Sequence, residues 1–175
     1  MSEPWSQPSD VDRLTDRQAD VAFEIPLKRL PRVQAHIAGA GGTVRGVAHF
    51  RREAGFRVVE IEMEGEAKLV CQRCLAPMTW PLDGESRAAI VAAESDADRV
   101  PQEFETVHAP DDRIRVGDLV EEELLLALPL VPLHAEPDEC ATEGDVPGAV
   151  EEDAAPEHET QRPFEQLGEL LKRNH

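Results

Sequence analysis

Residues 116–134 read VGDLVEEELLLALPLVPLH, and this stretch decides how the rest of the chain must be arranged. Asp118 is placed to act as an N-cap, with Glu121 three residues on to complete a capping box. Glu121, Glu122 and Glu123 stand where the positive end of a helix dipole favours carboxylates. Pro129 has no amide to donate and disfavours helical geometry at Leu128, so a helix over 118–128 is predicted to stop there and pass into an extended LVPL segment. At 100° per residue, Leu119, Val120, Leu124, Leu126, Ala127 and Leu128 fill an arc too wide for a surface helix, which predicts a core helix. Glu123 falls inside that arc as a carboxylate whose stem lies on apolar surface. Leu125 falls outside it, between Glu121 and Glu122, and these three form the edge expected to meet a partner.

A helix this apolar needs a sheet to cover, and the preceding residues supply one. VAFEIPL at 21–27 alternates as a strand, with Pro26 marking a sheet edge or a strand end. TVRGVAHFRR and FRVVEIEMEGEAKLVC flank a turn at Ala54 and Gly55 and predict an antiparallel hairpin. In the second of these, Val59, Ile61, Met63, Ala67, Leu69 and Cys71 share one parity while Glu60, Glu62, Glu64, Glu66 and Lys68 share the other, the pattern of a strand buried on one face. Gly65 predicts a bulge or bend in its middle. Met78, Trp80 and Leu82, followed by the turn pair Asp83 and Gly84, predict a second hairpin returning to about Val91, and a short strand is expected around Phe104 to Val107. The expected fold is α+β: a mainly antiparallel twisted sheet or half-barrel packed by one core helix, plus a short C-terminal helix.

The flanks differ in composition. Residues 1–20 are polar with few apolar anchors and read as a flexible N-terminal arm, which leaves 21–140 as a single α+β domain. Residues 141–161 form an acidic stretch expected to be disordered. In 162–173, Pro163 opens a helix that sets Phe164, Leu167, Leu170 and Leu171 at helical spacing, so an amphipathic C-terminal helix is predicted.

The formal net charge is -18 and the pI about 4.6. The first 92 residues carry 12 Lys plus Arg against 13 Asp plus Glu, whereas the remainder carry 6 against 23, so the acidity belongs to the second half. Such a surface repels phosphate and favours basic partners. Two basic clusters, Lys28, Arg29 and Arg32, then Arg51 and Arg52 with Arg57 nearby, are the residues an RNA-binding or RNA-processing role would use. Solvated strand ends explain them equally. No apolar run approaches the roughly 18 residues of a membrane span, and the first residues lack the basic-then-apolar pattern of a secretory signal, so a cytoplasmic protein is expected. Neither a nucleophile-elbow Gly-x-Ser-x-Gly nor His-Glu-x-x-His is present, and the GAGG at 39–42 lacks the strand and helix of a phosphate loop. An enzyme is not expected, and neither is a small-molecule substrate.

Three cysteines are present, two of them in a C-x-x-C. Cys71 and Cys74, with His134 and Cys140 in an H-x5-C just beyond the core helix, make three thiols and an imidazole, a complete tetrahedral set for one structural Zn2+ that would fasten sheet to helix and stabilise an adaptor. The alternative is structural: Cys71 as a small core hydrophobe, Cys74 in a turn and Cys140 in a tail.

CQRCL at 71–75, DLVEEELLLALPLVPLH at 118–134 followed by Cys140, and RPFEQLGELLKR at 162–173 together resemble the YceD family, the large ribosomal RNA subunit accumulation proteins of bacteria and plastids. The resemblance implies a ribosome-biogenesis role in accumulation or processing of large-subunit (23S) ribosomal RNA, with no catalytic residues to carry over. Family genes commonly lie beside one for a small basic large-subunit ribosomal protein. A basic ribosomal protein, a processing factor or a pre-ribosomal particle is therefore the implied partner, and it would suit the acidic half of the chain. Arg115, Val116 and Gly117 depart from the Ile-Asp-Leu-like lead-in of relatives.

Overall fold

The computed structural model describes residues 3–39 and 41–140, which belong to one compact unit spanning Met1–Thr142. The acidic stretch at 141–161 and the helix expected over 162–173 lie outside the described residues. In chain order the elements are β1 (Ser9–Asp10), α1 (Val11–Asp16), β2 (Asp20–Pro26), α2 (Pro31–Gln34), β3 (Gly42–Glu53), β4 (Phe56–Val70), β5 (Pro77–Val91), β6 (Glu105–His108), β7 (Arg113–Ile114) and α3 (Val116–Ala127).

The expected α+β architecture is present as an open five-stranded sheet in the order β2-β3-β4-β5-β6. The first three pairings are antiparallel, and β6 runs parallel to β5. β2 and β6 are edges, so the sheet does not close into a barrel. β2 ends at Pro26, where an edge strand tolerates the missing amide. The β3–β4 turn is tight because Ala54 and Gly55 both take positive φ (49° and 88°), the handedness that matches the twist of two adjoining strands.

Two turn signals in the sequence were overridden by pairing. β4 is a single strand of 15 residues whose register with β3 and β5 passes through Gly65 without a slip, so no bulge forms there. Gly65 serves close approach instead: a Cβ at this position would lie 2.5 Å from the Thr43 carbonyl oxygen and 3.0 Å from Val44 Cα. Likewise Asp83 and Gly84 do not turn. β5 runs straight through them for 15 residues, and the hairpin it forms with β4 turns instead at the C-x-x-C. A long ladder of cross-strand bonds and side-chain pairs outweighs a local turn preference of at most a few kcal/mol.

The parity read from β4 is the parity observed. Ile61, Met63, Ala67 and Leu69 are buried while Glu62, Glu64, Glu66 and Lys68 are exposed. The inner face is covered by α3, which buries Val116, Leu119, Val120 and Leu124, and by Leu27, Leu30 and Val33 from the β2–β3 connection. Pro129 ends α3 as expected: Ala127 is its last residue and Leu128 is already extended.

Its start differs from expectation. α3 begins at Val116 with Arg115 at the N-cap and no side-chain cap, and Asp118 lies in the first turn, where Arg115 Nη1 donates to it at 3.3 Å. The cause is packing. Trp5 rests on the first turn, where a Cβ on Gly117 would stand 3.1 Å from its ring, so this glycine makes room for an N-terminal aromatic. Residues 3–20 are accordingly not an arm. Trp5 and Val11 are core residues, Thr15 is buried with its hydroxyl donating to the Val11 carbonyl, and β1 pairs with β7.

Candidate metal centre

β4 delivers Cys71 to the end of the inner face, where it is fully buried. A tight turn follows, closed by the Leu75 amide donating to the Cys71 carbonyl at 2.9 Å and the Cys71 amide donating to the Ala76 carbonyl at 3.0 Å. Leu75 holds φ of 60°, a left-handed conformation that glycine adopts far more readily, and its side chain is exposed. The turn therefore carries strain and turns Cys74 back over Cys71. From the other side, the segment leaving α3 is tied to this turn by the Gln72 amide donating to the Pro132 carbonyl at 2.8 Å. That contact brings in His134, and a single 3-10 turn at Pro137–Glu139, boxed by Glu136 and Glu139, swings Cys140 back to the same point.

All four ligand atoms lie within 4.8 Å of one another. Cys71 Sγ is 4.0 Å from Cys140 Sγ, and His134 Nδ1 is 3.5 Å from Cys74 Sγ and 3.6 Å from Cys140 Sγ. A tetrahedral ion with metal–sulfur bonds of about 2.3 Å and metal–nitrogen bonds of about 2.0 Å sets S···S edges of about 3.8 Å and S···N edges of about 3.5 Å. The three separations above sit close to these edges and the remaining ones lie within 4.8 Å, so this Cys3His group is able to hold a metal ion.

The electrostatics point the same way. Burial pushes the Cys71 thiol up, but the backbone amides of Cys74, His134 and Arg73 outweigh it and bring the thiol down to about 5. Cys140 is pushed up by burial and then by Cys74 and Cys71 beside it. One thiolate thus forms readily and makes the next costly. A divalent cation is what allows several thiols to ionise at one point. Arg73 Nη1, 3.7 Å from Cys140 Sγ, adds a further positive group.

The other residues singled out in the sequence meet a different fate. Glu121, expected on an exposed edge, is buried: its Oε1 accepts from the Arg32 amide at 2.7 Å and the Val33 amide at 3.4 Å, so it caps α2 from another helix. Nothing in the sequence near Glu121 marks a partner 89 residues away. Glu122 is exposed and ion-paired with Arg32, while Leu125 is half-buried against the core. The exposed leucine of α3 is Leu126, at 78%.

The basic residues do not gather into one patch. Arg29 lies over the Trp5 ring and pairs with Glu3, Arg32 pairs with Glu122, Arg51 with Asp20, and Arg52 with Asp12 and Asp16. Of the five, Lys28 is exposed and stands outside these pairs. The carboxylates on the outer face of the sheet are arranged in the opposite manner. Register sets Glu62 directly opposite Glu85 and Glu64 opposite Asp83, and of these four Glu64 has a cation, Arg45. Like charges facing across a ladder destabilise it.

Fold and site together define a small α+β domain whose concentrated chemistry is one thiol-rich metal-ligand set, with an acidic sheet face beside internally neutralised arginines. Residues 59–171 match the family model described as "Large ribosomal RNA subunit accumulation protein YceD". A relative of that same name from Haemophilus influenzae is 32% identical over 118 residues, a match covering 66% of this chain and 66% of the relative. The chain belongs to the YceD family. No solved structure matches it. Among the described residues, no helix is long and apolar enough to cross a membrane.

Proposed function

We propose that this protein is a non-enzymatic ribosome-biogenesis factor of the cytoplasm that supports accumulation of large-subunit (23S) ribosomal RNA through contact with a basic ribosomal protein, a processing factor or a pre-ribosomal particle. Membership of the family supports the RNA it serves. One observation carries the mode of action: the arginines of the basic clusters are spent on carboxylates of the same chain, whereas Glu62 faces Glu85 and Asp83 faces Glu64, and Glu62, Asp83 and Glu85 have no ion pair among the described residues. Arginines already paired release few counterions on meeting a phosphate backbone, and an unneutralised carboxylate face attracts lysine and arginine side chains.

The Cys3His group holds a structural zinc in this reading. Its four donors come from the β4–β5 turn and the segment after α3, so the ion would fasten the sheet to the exit of its covering helix. It supplies folding free energy and no reaction step, because all four positions are filled by the protein.

Deletion of the gene is expected to lower 23S relative to 16S ribosomal RNA, and an unchanged ratio refutes the role. Capture of large-subunit proteins on the tagged chain should survive RNase and weaken with salt. Capture that disappears with RNase would favour direct RNA binding instead.

A further inference from the structure

β5 runs over Pro77–Val91, yet β6 pairs with it only along Ala88–Val91. Among the described residues, no backbone group bonds to the side of β5 turned away from β4 along 77–85. Such an edge is a row of unspent amides and carbonyls that can take up another strand. Alternation along the ladder says which groups face it. The Val91 carbonyl accepts from the Ala109 amide at 2.9 Å, on the β6 side, so every second residue back along the unbroken register aims its amide and carbonyl the same way, Glu85 and Asp83 among them.

Pro77 and Pro81 share that parity, and a proline nitrogen costs no ladder bond where it faces an open edge. The two prolines leave that end of the edge poor in donors. At the other end Phe104, just before β6, lies beneath the Arg87 guanidinium, 4.8 Å from it. Between them residues 82–86 form a slot with the amides and carbonyls of Asp83 and Glu85 open. The side chains of these two residues stand on the outer face of the sheet, directly opposite Glu64 and Glu62. All four carboxylates, with Arg45 and Gly84, line a hollow of about 450 Å3. Arg45 is bound to Glu64 and Arg87 to Glu53, so neither neutralises Asp83 or Glu85.

We infer that the open edge of β5 at residues 82–86 takes up an extended basic protein segment as an added strand. Backbone bonds to Asp83 and Glu85 hold the segment, and a lysine or arginine at every second position falls on the outer face beside their carboxylates. This rests on the reading of the partner as a basic protein and adds where and in what conformation it is held. Charge sets the other occupants aside. RNA phosphates would meet the carboxylates without using the backbone edge. A second copy paired edge to edge would bring the same acidic residues together, and residues 141–161 of this chain carry neither lysine nor arginine.

The test uses the full chain and a labelled peptide that alternates lysine or arginine with valine, followed by fluorescence anisotropy. Two further versions carry N-methyl groups, one on the amides of the basic residues and the other on those of the valines. An added strand turns only one of these two sets of amides towards β5. One methylated peptide should therefore bind about tenfold more weakly than the parent, the scale of one or two lost hydrogen bonds, while the other matches it. In amide exchange followed by NMR, Asp83 and Glu85 should exchange freely in the chain alone and become protected with the parent peptide. Asp83→Lys with Glu85→Lys should weaken the parent peptide about tenfold or more. Both residues are exposed and face carboxylates, so the double variant should melt no lower than the wild type. Equal binding of the two methylated peptides, or undiminished binding by the double variant, overturns the inference. Protection of both amides in the chain alone also overturns it, since the edge is then occupied by this chain or by a second copy. If the methylated peptides bind alike while gene deletion still lowers 23S relative to 16S RNA, the edge is wrong and the functional reading stands. If they differ as expected with an unchanged ratio, the reverse is true.

Discussion

The two ends of β4 fasten distant parts of the chain by different chemistry. At its start, Arg57 and, from the end of the neighbouring β3, Arg52 reach Asp12 and Asp16 of α1 and Asp112 before β7, with N–O separations of 2.6 to 3.7 Å. At its end, Cys71 and Cys74 meet His134 and Cys140. The first is an ion-pair network in which Arg52 is 43% exposed and Arg57 16%, and exposed pairs add little because water screens them. The second converges four donors on one point and excludes much of the solvent. The same strand thus shows that charge alone positions segments loosely, whereas convergent ligands can lock them.

The sharpest way to break that contrast is to deny the proposed metal its ligands. Chelation, or Cys74→Ser, is expected to lower the melting temperature on the order of 10 °C and to abolish hydrogen-exchange protection around 129–140 while β3 and β4 stay protected. Equal loss across the sheet would mean that the Cys3His group organises the whole core and not one end of it. Metal analysis of the untreated protein should find zinc near one per chain.

Next in size is Glu121→Ala. It leaves the Arg32 and Val33 amides at the start of α2 without an acceptor, and chemical denaturation should report a loss of about 1–2 kcal/mol. Glu122→Ala, one residue along and solvent-exposed, should change stability far less. Similar losses for the two would contradict the burial that separates them.

Arg52→Ala is expected to lower the melting temperature by only about 2 °C, and the difference from wild type should vanish near 0.5 M salt as screening removes the network. A loss that persists in salt would promote the ion pairs to the rank of the Cys3His end.

The smallest effect concerns pH. Hydrogen bonds from His49 and then Arg51 hold the Asp20 carboxyl below its ordinary value of 3.8. A carboxyl lowered in the folded state stabilises the protein above its unfolded value and loses that contribution as pH falls through the folded one. Asp20→Asn should therefore be slightly less stable than wild type near pH 7, with the two curves converging below about pH 4. Parallel curves would show that Asp20 makes no pH-linked contribution.

Local chemistry was legible wherever the pattern was long or the residue had few options. The alternation of β4, the turn at Ala54 and Gly55 and the halt of α3 at Pro129 could be read from the chain, as could the candidate set of Cys71, Cys74, His134 and Cys140 that the fold brings together. Misreadings came where a short-range signal competed with pairing or packing. Gly65 and the Asp83–Gly84 pair looked like breaks but lie within unbroken strands, and the polar residues around Trp5 hid an anchor that packs closely against Gly117 of a distant helix. Glu121 and Glu122 are indistinguishable as text, yet one caps a helix in the core and the other faces water. The capacity to ligate a metal is a property of residue type, so Cys71, Cys74, His134 and Cys140 stood out as candidates. The distances among them, the neutralisation of Arg32, Arg51 and Arg52, and the exposure of Leu130 instead of Leu125 depend on which segments the sheet brings together. Only the tertiary structure decides those, because each is a relation between residues tens of positions apart that no local propensity encodes.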